Sequence, residues 1–438
     1  MEINFPDDWQ LLPLEKCMAE IIDYRGKTPN KTSFGIPLIT AKIVKGGRIN
    51  QVEEYIATED YDVWMRRGFP KPGDIVITTE APLGEIAQLD NRKVALAQRL
   101  ITLRGKSDLL NNDYLKFLMQ SSFAQNQLYS RASGTTVQGI KQSELRKITL
   151  VIPPLPEQKA IARILSSLDD KIELNREMNK TLEAMAKAIF KSWFVDFDPV
   201  RAKMEGRQPA GMDAATAELF PDAFEESALG LIPKGWQVDS YDKIVHILSG
   251  GTPKTSVSEY WNGNILWFSV KDAPDKSDVF VIDTEKRITQ LGVDKSATQV
   301  LPKGTTIITA RGTVGKLALV GVEMAMNQSC FGIKGKNSYT DLFIYYHLSS
   351  VITELQHKTH GSVFDTINRQ TFISVKAVIP LKQIAQAFDN VVKPLIDKLL
   401  VNLFESRNIS SIRDTLLPKL LSGEIRVKEA EKIVEEVM

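Results

Sequence analysis

Cysteine is almost missing from this chain of 438 residues, which has only Cys17 and Cys330, far apart in sequence. That excludes a disulfide framework and a zinc site built on cysteine pairs, and two buried thiols are expected instead. Histidine is nearly as scarce at four, all in the second half, and His357 and His360 have no cysteine pair to complete a metal site with them. No run approaches the ~20 apolar residues of a membrane span, and the opening MEINFPDDWQ is acidic where a secretory leader is basic and then apolar. The expected location is the cytoplasm, with no membrane partner.

Charge of either sign is not in excess, because 55 Lys+Arg oppose 54 Asp+Glu for a formal net charge of +1. Proteins that coat nucleic acid by bulk electrostatics carry a strong basic surplus, so that mode is excluded. Local clustering is what remains. Arg25, Lys27, Lys31, Lys42, Lys45 and Arg48 follow one another with no acidic residue between Asp23 and Glu53, and Arg92, Lys93, Arg99, Arg104 and Lys106 do the same between Asp90 and Asp108. With 43% apolar and 25% charged residues the chain can build two or three ordered domains.

Complete catalytic signatures are missing as well. Arg25-Gly26-Lys27-Thr28 ends like a phosphate-binding loop, but Ile21 stands where its first glycine belongs. Asp74 and Glu80 are followed by Ala81-Pro82 rather than the lysine of a metal-dependent nuclease, and Asp198-Pro199-Val200 lacks the second proline and the aromatic of an adenine methyltransferase. The chain is therefore not expected to be an enzyme by itself.

What the chain does contain is a tandem duplication. At an offset of 227 residues Trp9 matches Trp236, Gly134 matches Gly361, Ile140 matches Ile367, Pro153 matches Pro380, and Asp170-Lys171 match Asp397-Lys398. Loop insertions shift the offset slightly for Thr28-Pro29 against Thr252-Pro253, and for Gly73, Thr78 and Gly84 against Gly304, Thr309 and Gly315. Each half opens as a mixed domain of short strands, such as DIVITT at 74–79 and TIIT at 306–309, with helix expected over 113–130. Each then closes on a short apolar run, ITLVIPP or VKAVIPL, and enters a long helical segment.

The first segment carries a heptad seam of Ile161, Leu165, Leu168, Ile172, Asn175, Asn179, Leu182, Ala186, Ile189 and Trp193. Its counterpart reads Phe388, Val392, Leu395, Leu399, Asn402, Ser406, Ile409, Arg413, Leu416 and Leu420, with Pro394 expected to kink that helix or delay its start. Two seams of one register favour pairing with each other, and the chain order makes that pairing antiparallel, with a domain at each end of a rod. A helix over 156–196 is about 60 Å long at ~1.5 Å per residue. Asn175 and Asn402, polar residues near the middle of the seam, are expected to set the helix-pair register.

Four segments then carry a family resemblance: PPLPEQKAI at 153–161, KSWFVDFDPV at 191–200, ELFPDAFEESALGLIPKGW at 218–236 and TLLPKLLSGEIRV at 415–427. The chain resembles the specificity subunit of a Type I restriction-modification system over nearly its whole length. The resemblance implies an α+β fold of two pseudo-symmetric target-recognition domains separated by an antiparallel coiled coil of two long helices. The boundaries are 1–153 for the first domain, 154–197 for the central helix, 198–231 for a connector, 232–380 for the second domain, 381–425 for the distal helix and 426–438 for a tail. It implies double-stranded DNA as ligand, each domain reading half of a bipartite site. The helices set half-site spacing and scaffold methyltransferase subunits, two of them, with restriction subunits as an optional further partner. It implies no cofactor on this chain and S-adenosylmethionine on the methyltransferase. The second helix departs from the pattern, with LKQIAQ where the first has the Glu-Gln of PLPEQ.

Phosphate contacts need Lys, Arg, hydroxyls and amides, whereas base readout needs side chains with paired donors and acceptors. The turns shared by both halves supply such mixtures. In the first they are Arg25, Lys27, Thr28, Lys42, Thr79, Gln98, Thr135, Thr136, Gln138 and Lys141. In the second they are Thr252, Lys254, Lys271, Arg311, Thr313, Gln328, Ser362, Asn368 and Arg369. Gly134 and Gly361 are expected to shape a loop rather than touch DNA. A stand-alone sequence-specific DNA-binding regulator is the competing reading. Against it stands the patch Trp193, Phe194 and Phe197, with Val195, which is either a surface for another protein or a capped core.

Overall fold

The computed structural model describes residues 5–24, 28–134, 136–274, 278–359 and 366–436. The chain divides into two compact units, Met1–Glu173 with Ser406–Met438, and Leu174–Glu405, so each unit holds one globular half together with a stretch of both long helices.

In the first unit the main sheet is antiparallel, in the order Met18–Asp23, Leu100–Gly105, Ile75–Thr79, Leu83–Gln88. Within DIVITT the run Ile75-Val76-Ile77 is apolar without a break because both faces of this strand are covered. Ile75 and Ile77 join one core with the helices Asn112–Gln120 and Ser122–Ser130, while Val76 joins a second core with Leu38, Leu96 and Met65. That is the period-two alternation of a strand, with apolar residues on both sides. Asn111 caps the Asn112–Gln120 helix by accepting the Tyr114 N–H at 2.9 Å. Gln10–Pro13 pairs with Thr149–Ile152 and closes the domain just before the long helix.

The second unit repeats this plan. Its five-stranded sheet runs Val245–Ser249, Cys330–Gly335, Thr306–Thr309, Leu317–Val320, Phe280–Val281, and Gln237–Ser240 closes on Lys376–Ile379 as its counterpart did. The repeat extends to single hydrogen bonds. Gly73 and Gly304, at φ +82° and +87°, donate to Leu89 and Val320, both at 2.8 Å. The Thr78 and Thr309 hydroxyls accept the amides of Glu85 and Lys316, both at 2.9 Å.

The long helices are Leu155–Phe194 and Lys382–Ser422, 40 and 41 residues. Every residue of both seams is buried or half-buried. In the first unit Leu165 and Leu168 share a core with Ile409 and Leu416, and Asp169 bridges Lys116 and Arg413, each at 2.7 Å. In the second unit the pairing is antiparallel. Asn175 donates to the Asn402 carbonyl at 3.5 Å and to Glu405 at 2.8 Å, while Asn179 donates to the Leu399 carbonyl at 3.2 Å.

Pro394 does not delay the second helix, which begins at Lys382 and continues through it. The proline and Asn390, whose carbonyl loses its donor, both lie on the exposed face, where solvent has access to that carbonyl. Residues 198–231 are folded rather than a bare link. They form helices Asp198–Met204 and Ala214–Glu218 and the hairpin Phe224–Ser227 with Gly230–Pro233, and bury Val200 and Phe220 in the second unit's core. Beyond Gly423, helix Val427–Glu435 buries Ala430 and Val434 in the core of the first unit. Both thiols are free and buried, and burial pushes that of Cys330 up to about 12. Among the described residues no helix is long and apolar enough to cross a membrane.

Candidate nucleic-acid interface

Strand Ile75–Thr79 ends where three other segments meet it. The Thr79 N–H donates to the Arg99 carbonyl at 2.9 Å, and its own carbonyl accepts the Ile140 N–H at 3.0 Å. Thr28, Lys31, Thr40, Lys42, Gln98 and Arg99 line a concavity of about 130 Å³ beside this strand end. Thr28 and Lys42 are exposed there and Gln98 is half-buried. These three were anticipated from sequence and lie together. Lys31, Thr40 and Arg99 line the concavity beside the acidic Glu54 and were not singled out as contacts, since the signal for two of them was only membership of a basic run.

The neighbouring loop projects Thr136 and Gln138 into solvent, with Lys141 exposed just beyond. Its base is tied by a reciprocal pair of bonds between Ser133 and Gly139 at 2.8 and 2.9 Å. Gly134 has φ +116°, and a Cβ there would sit 2.1 Å from the Val137 carbonyl oxygen, so it shapes the loop as expected. Arg25, Lys27 and Thr135 lie outside the described residues, as do Ser362, Gly361 and His360.

Several sequence expectations are corrected. Thr79 is not a surface reader, because its side chain is buried and its hydroxyl donates to the Arg99 carbonyl at 3.2 Å. The basic runs are not unopposed in space. Lys31 pairs with Glu54 at 2.8 Å, Arg48 with Glu173 at 3.4 Å, Arg92 with Asp90 at 2.7 Å and Arg99 with Glu80 at 3.0 Å. For Lys31, Arg48 and Arg99 folding brings in an acidic residue distant in sequence, while Arg92 pairs with its near neighbour Asp90. Arg104 is drawn inward and holds buried Asp74 through two bonds of 2.7 Å, which accounts for Asp74 as a structural carboxylate.

In the second unit Lys254, Lys271, Arg311 and Thr313 are exposed. The Thr252 hydroxyl donates to the Gln328 side chain, so these two present one linked donor–acceptor group. Asn368 is occupied as a cap, accepting the Thr371 N–H at 3.0 Å while its own N–H donates to the Thr371 hydroxyl. The Asn-x-x-Thr spacing was the signal for that role. Arg369 donates to the Ile247 carbonyl at 3.2 Å and the Ser249 hydroxyl at 3.3 Å, anchoring its helix to a strand. Both stay exposed, but these atoms are engaged within the fold.

The aromatic patch resolves as core. Trp193 and Phe194 are buried among Phe190, Phe220, Trp236 and Phe388, with Phe194–Phe388 centroids at 5.4 Å, and Phe197 packs edge-on to Trp236 at 5.6 Å. Asn175 and Asn402 are buried on the seam as expected. They are joined by a third residue that sequence reading left unassigned, since Asn402 donates to the Asn179 side chain at 2.9 Å. Among the described residues no group of three or more His, Cys, Asp or Glu could hold a metal ion.

A family model for the Type I restriction modification DNA specificity domain matches residues 6–184 and 233–402. The chain is 27% identical to a Type I restriction enzyme specificity subunit, MjaIX, from Methanocaldococcus jannaschii, over 97% of this chain and 95% of that one. It is 26% identical to the HindI specificity subunit of Haemophilus influenzae over 81% of this chain and 87% of that one. The crystal structure of a Type I restriction-modification S subunit from M. genitalium is similar in fold, with TM-score 0.59 and 17% identity, covering 96% of this chain and 98% of that one.

Proposed function

The chain belongs to the Type I restriction-modification DNA specificity family, and from that premise we propose that it is the non-catalytic subunit through which such a complex reads a two-part DNA sequence, one half-site per globular domain. The carrying observation is a repeated backbone with altered side chains. Ile140 and Ile367 donate to Thr79 and Ala310, both at 3.0 Å, and Thr79 and Ala310 donate to Arg99 and Ser329 at 2.9 and 2.7 Å. On that shared frame Glu80 faces Arg99 in the first domain, while Arg311 and Ser329 occupy the same places in the second. Identical frames with different donors and acceptors are what two readers of different sequences require.

The helix pair holds methyltransferase subunits, two per chain, and sets the number of unread base pairs, with restriction subunits as an optional further partner. With Trp193 buried, the exposed apolar residues Leu174, Met185, Val391 and Val401 on the two helices support partner binding. S-adenosylmethionine belongs on the methyltransferase, which must extrude its target adenine from the duplex to reach it. Replacing residues 1–153 with the corresponding domain of a relative tests this directly. Methylation mapping should show one half of the recognised sequence changed and the other kept. A change in both halves, or none, overturns modular reading. Failure to form a stable complex with methyltransferase subunits would favour a stand-alone regulator.

A further inference from the structure

Arg99 is half-exposed at the lip of the first domain's concavity, its Nε 3.0 Å from the Glu80 carboxylate, which is itself about half-exposed. The guanidinium makes no hydrogen bond within the fold among the described residues, which leaves its donors available to a ligand. Glu80 is held from behind. It forms a β-bridge with Gly139, and a Cβ added at Gly139 would lie 3.3 Å from the Glu80 Cβ, so the backbone at Gly139 packs directly on it.

We propose that Arg99 recognises a guanine in the half-site of the first domain, donating its terminal nitrogens to O6 and N7, and that Glu80 is the residue that positions it. This rests on the DNA-reading function proposed above. The choice of base over phosphate follows from charge. A carboxylate 3.0 Å from the guanidinium cancels its attraction for a phosphate and adds repulsion of its own, whereas a neutral base edge has no such penalty. The ion pair with Glu80 also narrows the range of the long side chain before binding, which suits bidentate recognition.

The second domain makes the contrast. At the positions of Glu80 and Arg99 it has Arg311 and Ser329, so an exposed arginine stands there with no carboxylate partner among the described residues. Arg311 thus contributes sequence-independent phosphate attraction that Arg99 does not.

The test uses the chain assembled with its methyltransferase subunits, genomic DNA for methylation mapping, and a random-sequence duplex for binding at several salt concentrations. Glu80→Gln, nearly isosteric, frees the cation. One position of the first half-site should become degenerate, with roughly ten- to hundred-fold less discrimination. The salt slope of random-duplex binding should steepen by about one charge. Arg99→Lys keeps the charge and the Glu80 partner but loses the bidentate fork, so the same position should relax with an unchanged slope. Arg311→Ala should shallow the slope instead. A bipartite site read by wild type and unaltered in both Glu80→Gln and Arg99→Lys overturns this inference alone. Wild-type methylation without a bipartite site overturns the function on which it rests.

Discussion

Trp9 and Trp236 occupy the same place in the two repeats, yet the Trp9 indole donates to Glu157 at 3.1 Å while the Trp236 indole nitrogen is buried with no acceptor among the described residues. The cause lies on the long helices. Glu157-Gln158 of the first corresponds to Ile384-Ala385 of the second. Gln158 also ties the first domain to its helix, accepting the Asn111 N–H at 2.9 Å and donating to the Pro153 carbonyl at 2.8 Å. The second domain meets that need differently, with Asp389 accepting the Phe343 N–H at 3.0 Å.

Trp9→Phe should therefore cost about 1–2 kcal/mol, because it leaves Glu157 without its buried donor. Trp236→Phe should cost less, since it removes an N–H that has no partner to lose. Comparing the two variants by thermal unfolding checks the order, and equal losses would mean that the indole bond contributes nothing.

The buried asparagines behave as a network. Asn402→Leu alone should destabilise by roughly 1–3 kcal/mol, because it strands the Asn179 carbonyl oxygen. Replacing Asn175, Asn179 and Asn402 together with Leu should restore or raise the melting temperature while loosening register, since no buried amide is then orphaned. A triple variant less stable than the single one would refute this.

Two buried groups in the second unit give opposing pH dependences. Burial raises the Asp389 carboxyl to about 6, with Asp341 adding to the rise and Lys393 opposing it, and burial lowers the His347 imidazole to about 4. The fold keeps a proton on Asp389 that the unfolded chain loses, so its effect on stability declines as pH rises from about 4 to about 6. The unfolded chain protonates His347 where the fold does not, so stability declines as pH falls from about 6.5 to about 4. Asp389→Asn keeps an acceptor for Phe343 and should raise stability at neutral pH, leaving a steeper loss on the acid side. His347→Phe should flatten that loss. Unfolding midpoints between pH 4 and 7 decide it, and parallel curves for wild type and both variants would refute the assignment.

If the helix pair sets spacing, a heptad inserted in both helices at paired positions keeps each seam in phase and adds about 10 Å at ~1.5 Å per residue. The preferred spacer should lengthen by about three base pairs with both half-sites unchanged, and affinity should fall because the second half-site rotates around the duplex. An active variant that still requires the original spacer would assign the distance to something else.

The sequence by itself determined the duplication, the strands at 75–79 and 306–309, the two long helices and their buried seams, because these follow from local periodicity and from matches at one offset. Family membership was legible for the same reason, in short segments with few alternatives. Partnership was not. Whether Arg104 faces DNA or Asp74, whether Asn368 reads a base or caps a helix, and whether Trp193 meets another protein or Phe388 all turn on groups distant in sequence that only folding brings within a few ångströms. Tertiary structure also paired cations that looked unopposed along the chain. Coulomb interactions and hydrogen bonds act over a few ångströms of space, and separation along the chain does not report that distance.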